Sequence, residues 1–400
     1  MKKRLGDYIE ILSGFAFKSK DFCEKGIPVI KIKNICPPYV SLEDLSFVPS
    51  TIAYANSKYI LKRNDILIAM TGSHINQIAS VVGRVARVKF DMAAVLNQRV
   101  GKIIKKDNTE CNLDYIYYYL SQFEVKVELA QKAGGAANQA NISPSDIKEL
   151  MFPCPPIEVQ NKIATILSRY DDLIENYQKQ IKLLEEAAQR LYKEWFVDLH
   201  FPGHENVKVV DGVPEGWEKK TMSQLGEYLN GFAFKPSDWQ ATGKPIIKIK
   251  EMGNGVTDET PRNNGERVTE KYLIRSGDLL FSWSATLMAM IWNGEDGWLN
   301  QHIFKVSPSK GICREFLLQS IKNAIEEFAN LTTGPTMKHI QRNKLDQVFV
   351  VVPLSNIMDE YELHSKVMRG QILNLSSQLR LLTEARDRLL PKLMSGEIEV

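Results

Sequence analysis

The chain has 400 residues, 44% hydrophobic and 25% charged, with a formal net charge of +3; that length exceeds one ordinary core and suits two to four domains. No run reaches the roughly 18 apolar residues of a membrane helix, the basic start MKKRLGDYIEILSG lacks an apolar signal core, and Cys23, Cys36, Cys111, Cys154 and Cys313 never fall at CxxC spacing. The expectation is a reduced, cytoplasmic protein with no membrane, disulfide or metal role. Charge is uneven: residues 1–155 hold 21 Lys plus Arg against 15 Asp plus Glu, and residues 156–400 hold 30 against 33, so attraction for phosphate is concentrated in the first part.

In chain order, IPVIKIKNI and DILIAM bunch or alternate apolar residues among turn formers and predict strands, and LDYIYYYLSQFEVKVELA has helical spacing. The segment ELMFPCPP closes a short strand into a proline boundary. A long helix then follows from the seam Ile163, Leu167, Tyr170, Ile174, Tyr177, Ile181, Leu184, Ala188, Leu191 and Trp195, spaced by alternating steps of four and three as in a coiled coil. Its span is about 50 Å. DLHFPGHENVKVVDGVPEGWE is Gly- and Pro-rich, without periodicity, and reads as a connector.

After the connector the chain repeats itself. GFAFK at Gly14 to Lys18 returns at Gly231 to Lys235, and PVIKIK at Pro28 to Lys33 returns as PIIKIK at Pro245 to Lys250, both displaced by 217. NDILI answers GDLLF, REFLLQSIKNAIEEFAN repeats the helical stretch, and QVFVVVPL repeats the proline boundary. From Ile142 onward the displacement is 198, and the second seam is Tyr361, Ser365, Met368, Ile372, Leu375, Leu379, Leu382, Arg386, Leu389 and Leu393. The expected architecture is α+β, with pseudo-twofold symmetry. Two similar globular α/β domains are separated by a pair of long antiparallel coiled-coil helices, with boundaries 1–155, 156–200 (helix), 201–216 (connector), 217–354 and 355–400 (helix).

The order of these phrases, given twice, resembles the specificity subunits of type I restriction-modification systems. The resemblance covers nearly the whole chain: the GFAFK openings, the IP-x-IK and GD-I-L strands, the Leu191 to Asp198 phrase LYKEWFVD, the Asp211 to Trp217 phrase DGVPEGW, and Leu389 to Ile398, LLPKLMSGEI. It implies that each domain is a target recognition domain reading one half of a bipartite site in double-stranded DNA. The helices would set the unread spacer and dock two modification (methyltransferase) subunits. S-adenosylmethionine would then belong to those subunits, and ATP and Mg to restriction (translocase/nuclease) subunits, with no cofactor or catalytic residue in this chain. Two domains about one duplex turn apart, roughly 34 Å, can face one side of DNA.

Motifs for chemistry within the chain are incomplete. NICPPY at Asn34 to Tyr39 resembles the adenine-binding loop of N6 methyltransferases, but Cys36 stands where an Asn or Asp must precede the prolines. Asp114, Glu124 and Lys126 have nuclease-like order on a helical stretch without a following strand. His200 and His204 flank Phe-Pro-Gly, which breaks the helix that zinc spacing needs. ATGKP lacks the first glycine and the Ser/Thr of a phosphate loop.

Base reading calls for polar side chains on loops that enter a groove, and phosphate holding calls for Lys and Arg. The candidates in the first domain are Lys18, Lys20, Thr71, Ser73, His74, Asn76, Gln77, Asn138, Gln139 and Asn141. In the second they are Lys235, Ser282, Trp283, Ser284, Thr286, Thr336, Lys338 and His339. Lys31, Lys33, Lys248 and Lys250 are expected on one strand face, as phosphate contacts or as a solvated edge. The shared Asn97-Gln98 and Asn300-Gln301 read as scaffold. Tyr115, Tyr117, Tyr118 and Tyr119 read as core. The alternative function is a structural coiled-coil adaptor that binds proteins rather than DNA.

Overall fold

In a computed structural model, residues 1–73, 81–134, 140–331 and 340–400 are described. They form two compact units, Met1–Leu173 with Leu382–Val400, and Ile174–Leu381. Each unit contains a globular part and segments of both long helices.

In the first unit, strands Ile9–Ser13, Val100–Lys105, Ile66–Ala69, Val85–Arg87, Tyr39–Val40 and Ile35–Cys36 lie in that order in one sheet. A second sheet places Ile27–Ile30 between Val95–Leu96, which runs parallel to it, and Ser46–Val48, which runs antiparallel. Lys2–Arg4 pairs with Met151–Pro153, so the start of the globular part is tied to the strand that leads into the first long helix. The helical stretch forms two helices, Leu113–Ser121 and Phe123–Lys132, and the first is capped by Asn112, whose side chain accepts from the N–H groups of Asp114 and Tyr115. All four tyrosines of that first helix are buried in the unit's core.

The second unit repeats the plan. Gly226–Asn230, Ile303–Pro308, Leu279–Ser282 and Met288–Ile291 form one sheet, and Arg262–Asn263, Lys244–Ile247, Gly297–Leu299 and Leu273–Ile274 another. Glu218–Thr221 pairs with Phe349–Val352, as Lys2–Arg4 does with its partner. The helical stretch is again two helices, Arg314–Asn323 and Ile325–Asn330. The connector contains structure that its lack of periodicity concealed. Val209–Val210 and Val213–Pro214 form a hairpin whose turn, Asp211-Gly212, has positive φ at both residues, the signal an Asp-Gly turn carries.

The long helices are Ile157–Tyr192 and Ser355–Ser395. The first ends in a π-helical turn, Lys193–Val197, which sets Trp195 and Phe196 in an aromatic cluster with Trp217, Phe316 and Tyr361. Thus the EWF and EGW phrases meet in one core. In the first unit Leu167 shares a core with Leu393, and Asp171 bonds Arg386. In the second unit Leu184 faces Leu375, Leu191 faces Met368, and Trp195 stacks near Tyr361. Rising numbers on one helix meet falling numbers on the other, so the pairing is antiparallel within each unit. None of the twenty seam positions is exposed.

Candidate nucleic-acid interface

The two repeated motifs pack on one another. Phe15 N–H donates to the Leu96 carbonyl at 2.8 Å, Gln98 N–H donates to the Phe15 carbonyl at 3.0 Å, and Gly14 N–H donates to Val100 at 3.1 Å. The approach is so close that a Cβ on Gly14 would lie 2.4 Å from the carbonyl oxygens of both Leu96 and Asn97. In the second unit Phe232 N–H donates to Leu299 at 2.8 Å, and a Cβ on Gly231 would lie 2.2 Å from the Asn300 oxygen. The Asn-Gln turn is therefore a platform for GFAFK. It also presents Gln98 and Arg99 to solvent in the first unit, whereas Gln301 and His302 are half-buried in the second.

That platform is where the chain flanking the candidate loops is held. Met70 N–H donates to Arg99, Ile142 N–H donates to Met70, and Thr71–Gly72 pairs with Ala140–Asn141. The chain on either side of 74–80 and 135–139 is thereby held at one place beside Arg99. Asn141 is exposed there and Ser73 half-buried. In the second unit Trp283 N–H donates to His302 and Ile340 N–H donates to Trp283, so the chain leaving 332–339 returns to the equivalent turn. His74, Asn76, Gln77, Asn138, Gln139, Thr336, Lys338 and His339 lie outside the described residues.

Several expected contacts are corrected by their surroundings. Thr71 is 7% exposed and Ser284 4%, while Ser282 is fully buried, accepting from Met288 N–H at 3.1 Å and donating to the Thr286 carbonyl. The Ser282 hydroxyl closes the turn leading to Met288–Ile291, and burial leaves the Thr71 and Ser284 hydroxyls little surface to offer a groove. Trp283 is half-buried against Phe304 and His302. Thr286 is exposed.

The four lysines do not share a strand face. The strands end at Ile30 and Ile247, because side chains three residues beyond the next lysine cap a turn: Asn34 accepts from Lys31 N–H at 3.1 Å and Glu251 from Lys248 N–H at 3.1 Å. Lys31 lies over the Phe22 ring at 4.1 Å and donates to Ser46 at 2.8 Å, and Lys248 lies over Trp239 at 4.3 Å. Burial, with the charge of Lys33, lowers the Lys31 pKa. Lys33 pairs with Asp44 and Lys250 with Glu259 at 3.6 Å.

Lys18, Lys20 and Lys235 are exposed. Lys18 and Lys235 sit at matching turns, their backbone N–H groups bonded to Asp21 at 2.8 Å and Asp238 at 2.7 Å. Arg99 on the platform and the 47% exposed Trp239 were not singled out as contacts in the sequence. Trp239 could have been found by its displacement of 217 from Phe22.

The chemical decoys are accounted for by local bonding. Asp114 pairs with Arg87 at 2.9 Å, His200 with Glu194 at 3.0 Å, and His204 Nδ1 lies 2.9 Å from the Phe201 carbonyl oxygen. Burial pushes the Cys313 thiol up to about 12 and raises Cys111, so both stay protonated at neutral pH. No helix among the described residues is long and apolar enough to cross a membrane.

A family model described as the type I restriction modification DNA specificity domain matches residues 1–186 and again 214–361, together well over half the chain. The chain belongs to this family. Among its relatives, the type I restriction enzyme MjaIX specificity subunit of Methanocaldococcus jannaschii is 26% identical over 100% of this chain and 93% of its own length. The HindI specificity subunit of Haemophilus influenzae is 26% identical over 68% of this chain and 73% of its own. The crystal structure of a type I restriction-modification S subunit from M. genitalium covers 98% of this chain and 96% of that one with a TM-score of 0.58 at 17% identity, and so shares the fold. The two matched segments carry the two copies of the platform, so this specificity-family fold is a tandem of α+β repeats with paired long helices.

Proposed function

We propose that the chain is the sequence-specific DNA-recognition subunit of a type I restriction-modification complex. Its globular parts, about 1–155 and 217–354, would each read one half of a bipartite duplex site. The long helices would fix the spacer and dock two modification subunits, which would bring S-adenosylmethionine. Restriction subunits would bring ATP and Mg, and the cytoplasm would be the place of action. The observation that carries the reading is the repeated platform, which holds the chain flanking the unlike loops of each unit on a shared scaffold. Different loops on equal scaffolds suit two different half-sites.

On this reading Lys18, Lys20, Arg99, Lys235 and Thr286, with the loops flanked by Ser73, Asn141 and Ile340, are the contact candidates. An adaptor that binds only proteins is disfavoured by membership of a DNA-specificity family. The test is binding by the chain purified with its modification subunits. One bipartite duplex should be held far more tightly than its scrambled counterpart at equal salt, and equal affinity for both would end the proposal.

A further inference from the structure

The two long helices are related by the repeat, yet two positions that meet across the pair differ in charge between the copies. Asp171 and Arg369 occupy the same place in the two copies, and so do Ala188 and Arg386, each displaced by 198. In the first unit the 4% exposed Asp171 takes Arg386 at 2.9 Å and the Tyr118 hydroxyl at 2.6 Å. Burial opposes the Arg386 charge, but the bond to Asp171 and the neighbouring Asp387 outweigh it and raise the pKa. In the second unit the corresponding pair is Ala188 and Arg369, which line one cleft. Arg369 turns to Glu315 there, and Glu185 and Lys322 line the same cleft.

We infer that this asymmetry makes the first helix accept the second and reject a copy of itself. Consider two chains paired like with like. Two first helices would set each Asp171 against an Ala188, leaving a buried carboxylate with Tyr118 and no cation from the other helix. Two second helices would set each Arg369 against an Arg386, with Glu315 as the one buried carboxylate serving both. A buried charge without its partner and two like charges face to face are both strongly unfavourable. Only the pairing of first with second supplies Asp171 with its guanidinium and gives Arg369 a small neighbour. The seam itself is apolar at most positions of both helices and carries little charge. These four positions therefore direct each helix to the unlike one and away from a copy of itself.

Inverting the pattern in the full chain tests this. With Ala188→Arg and Arg386→Glu together, first-with-second pairing meets repulsion in both places, whereas like-with-like pairing gains opposite charges in both. Gln180 is midway between 171 and 188, where a first helix paired with its own copy would face the same position. Chains carrying Gln180→Cys and Cys36→Ser are weighed by light scattering and oxidised to trap that contact. The parent should be a single chain without trapped dimer, and the inverted variant should become a dimer, most of it trapped. A folded inverted variant that remains a single untrapped chain overturns the inference. If that variant does not fold, Arg386→Met decides, since it removes both the attraction and the repulsion. Trapped dimer that grows with concentration upholds the inference, and a chain as free of trapped dimer as the parent overturns it.

Discussion

Gly14 and Gly231 show how a short motif can be fixed by one contact. Each lets the GFAFK backbone approach a neighbouring turn more closely than any Cβ allows. Gly14→Ala is expected to destabilise by about 2–3 kcal/mol, as overpacking does, seen as a lower urea midpoint. Gly253, inside the helix Ile249–Asn254, meets nothing within 4 Å. Gly253→Ala should therefore stabilise by about 0.5–1 kcal/mol through helix propensity.

The buried tyrosines give a second residue-scale prediction. Burial pushes Tyr117 and Tyr192 up to about 12, and raises Tyr115, Tyr118, Tyr119, Tyr228 and Tyr361 as well. An unfolded tyrosine ionises near pH 10. The folded state holds the proton, so the stabilisation is complete below about pH 10 and is lost as pH rises through the folded pKa. A shift of about two units corresponds to at most about 3 kcal/mol per group at full titration. Melting temperatures should fall steeply between about pH 10 and 12, with these seven tyrosines ionising only as the chain unfolds. Ionisation of these seven in the folded protein near pH 10 would contradict this.

At the scale of elements, much was legible because periodicity reports burial. The steps of four and three located both long helices and the face each turns inward. The strand-and-helix order of each repeat was legible for the same reason. The IKIK lysines were misplaced because alternation alone cannot reveal a cap: Asn34 and Glu251 end the strands from three residues ahead. The Asp-Gly hairpin in the connector was missed although its turn chemistry was present. Side chains on the seam and off it give a direct comparison. Leu167 is fully buried and Leu183 is 64% exposed. Leu167→Ala should cost about 2–5 kcal/mol and Leu183→Ala about 0.5 kcal/mol or less, measured by denaturant unfolding.

For the whole molecule, the tandem repeat was the most legible feature, since it needs no knowledge of side-chain geometry. The interface was less so. Residue type alone placed Ser282, Ser284 and Thr71 among DNA contacts, yet all three are buried. Exposure, which sequence does not give, moves attention to Arg99 and to the exposed loop lysines. The two units share a scaffold but differ in what it presents, with an exposed Arg99 in one and a half-buried His302 in the other. That difference leads to the expectation of two unlike half-sites. The most direct test is to map methylated bases across the genome of a host that expresses this chain with the proposed modification subunits. One bipartite motif, with two different halves and a fixed unread spacer, is expected, and it should disappear when this chain is omitted. Methylation that persists without the chain, or a motif with no spacer, would contradict it.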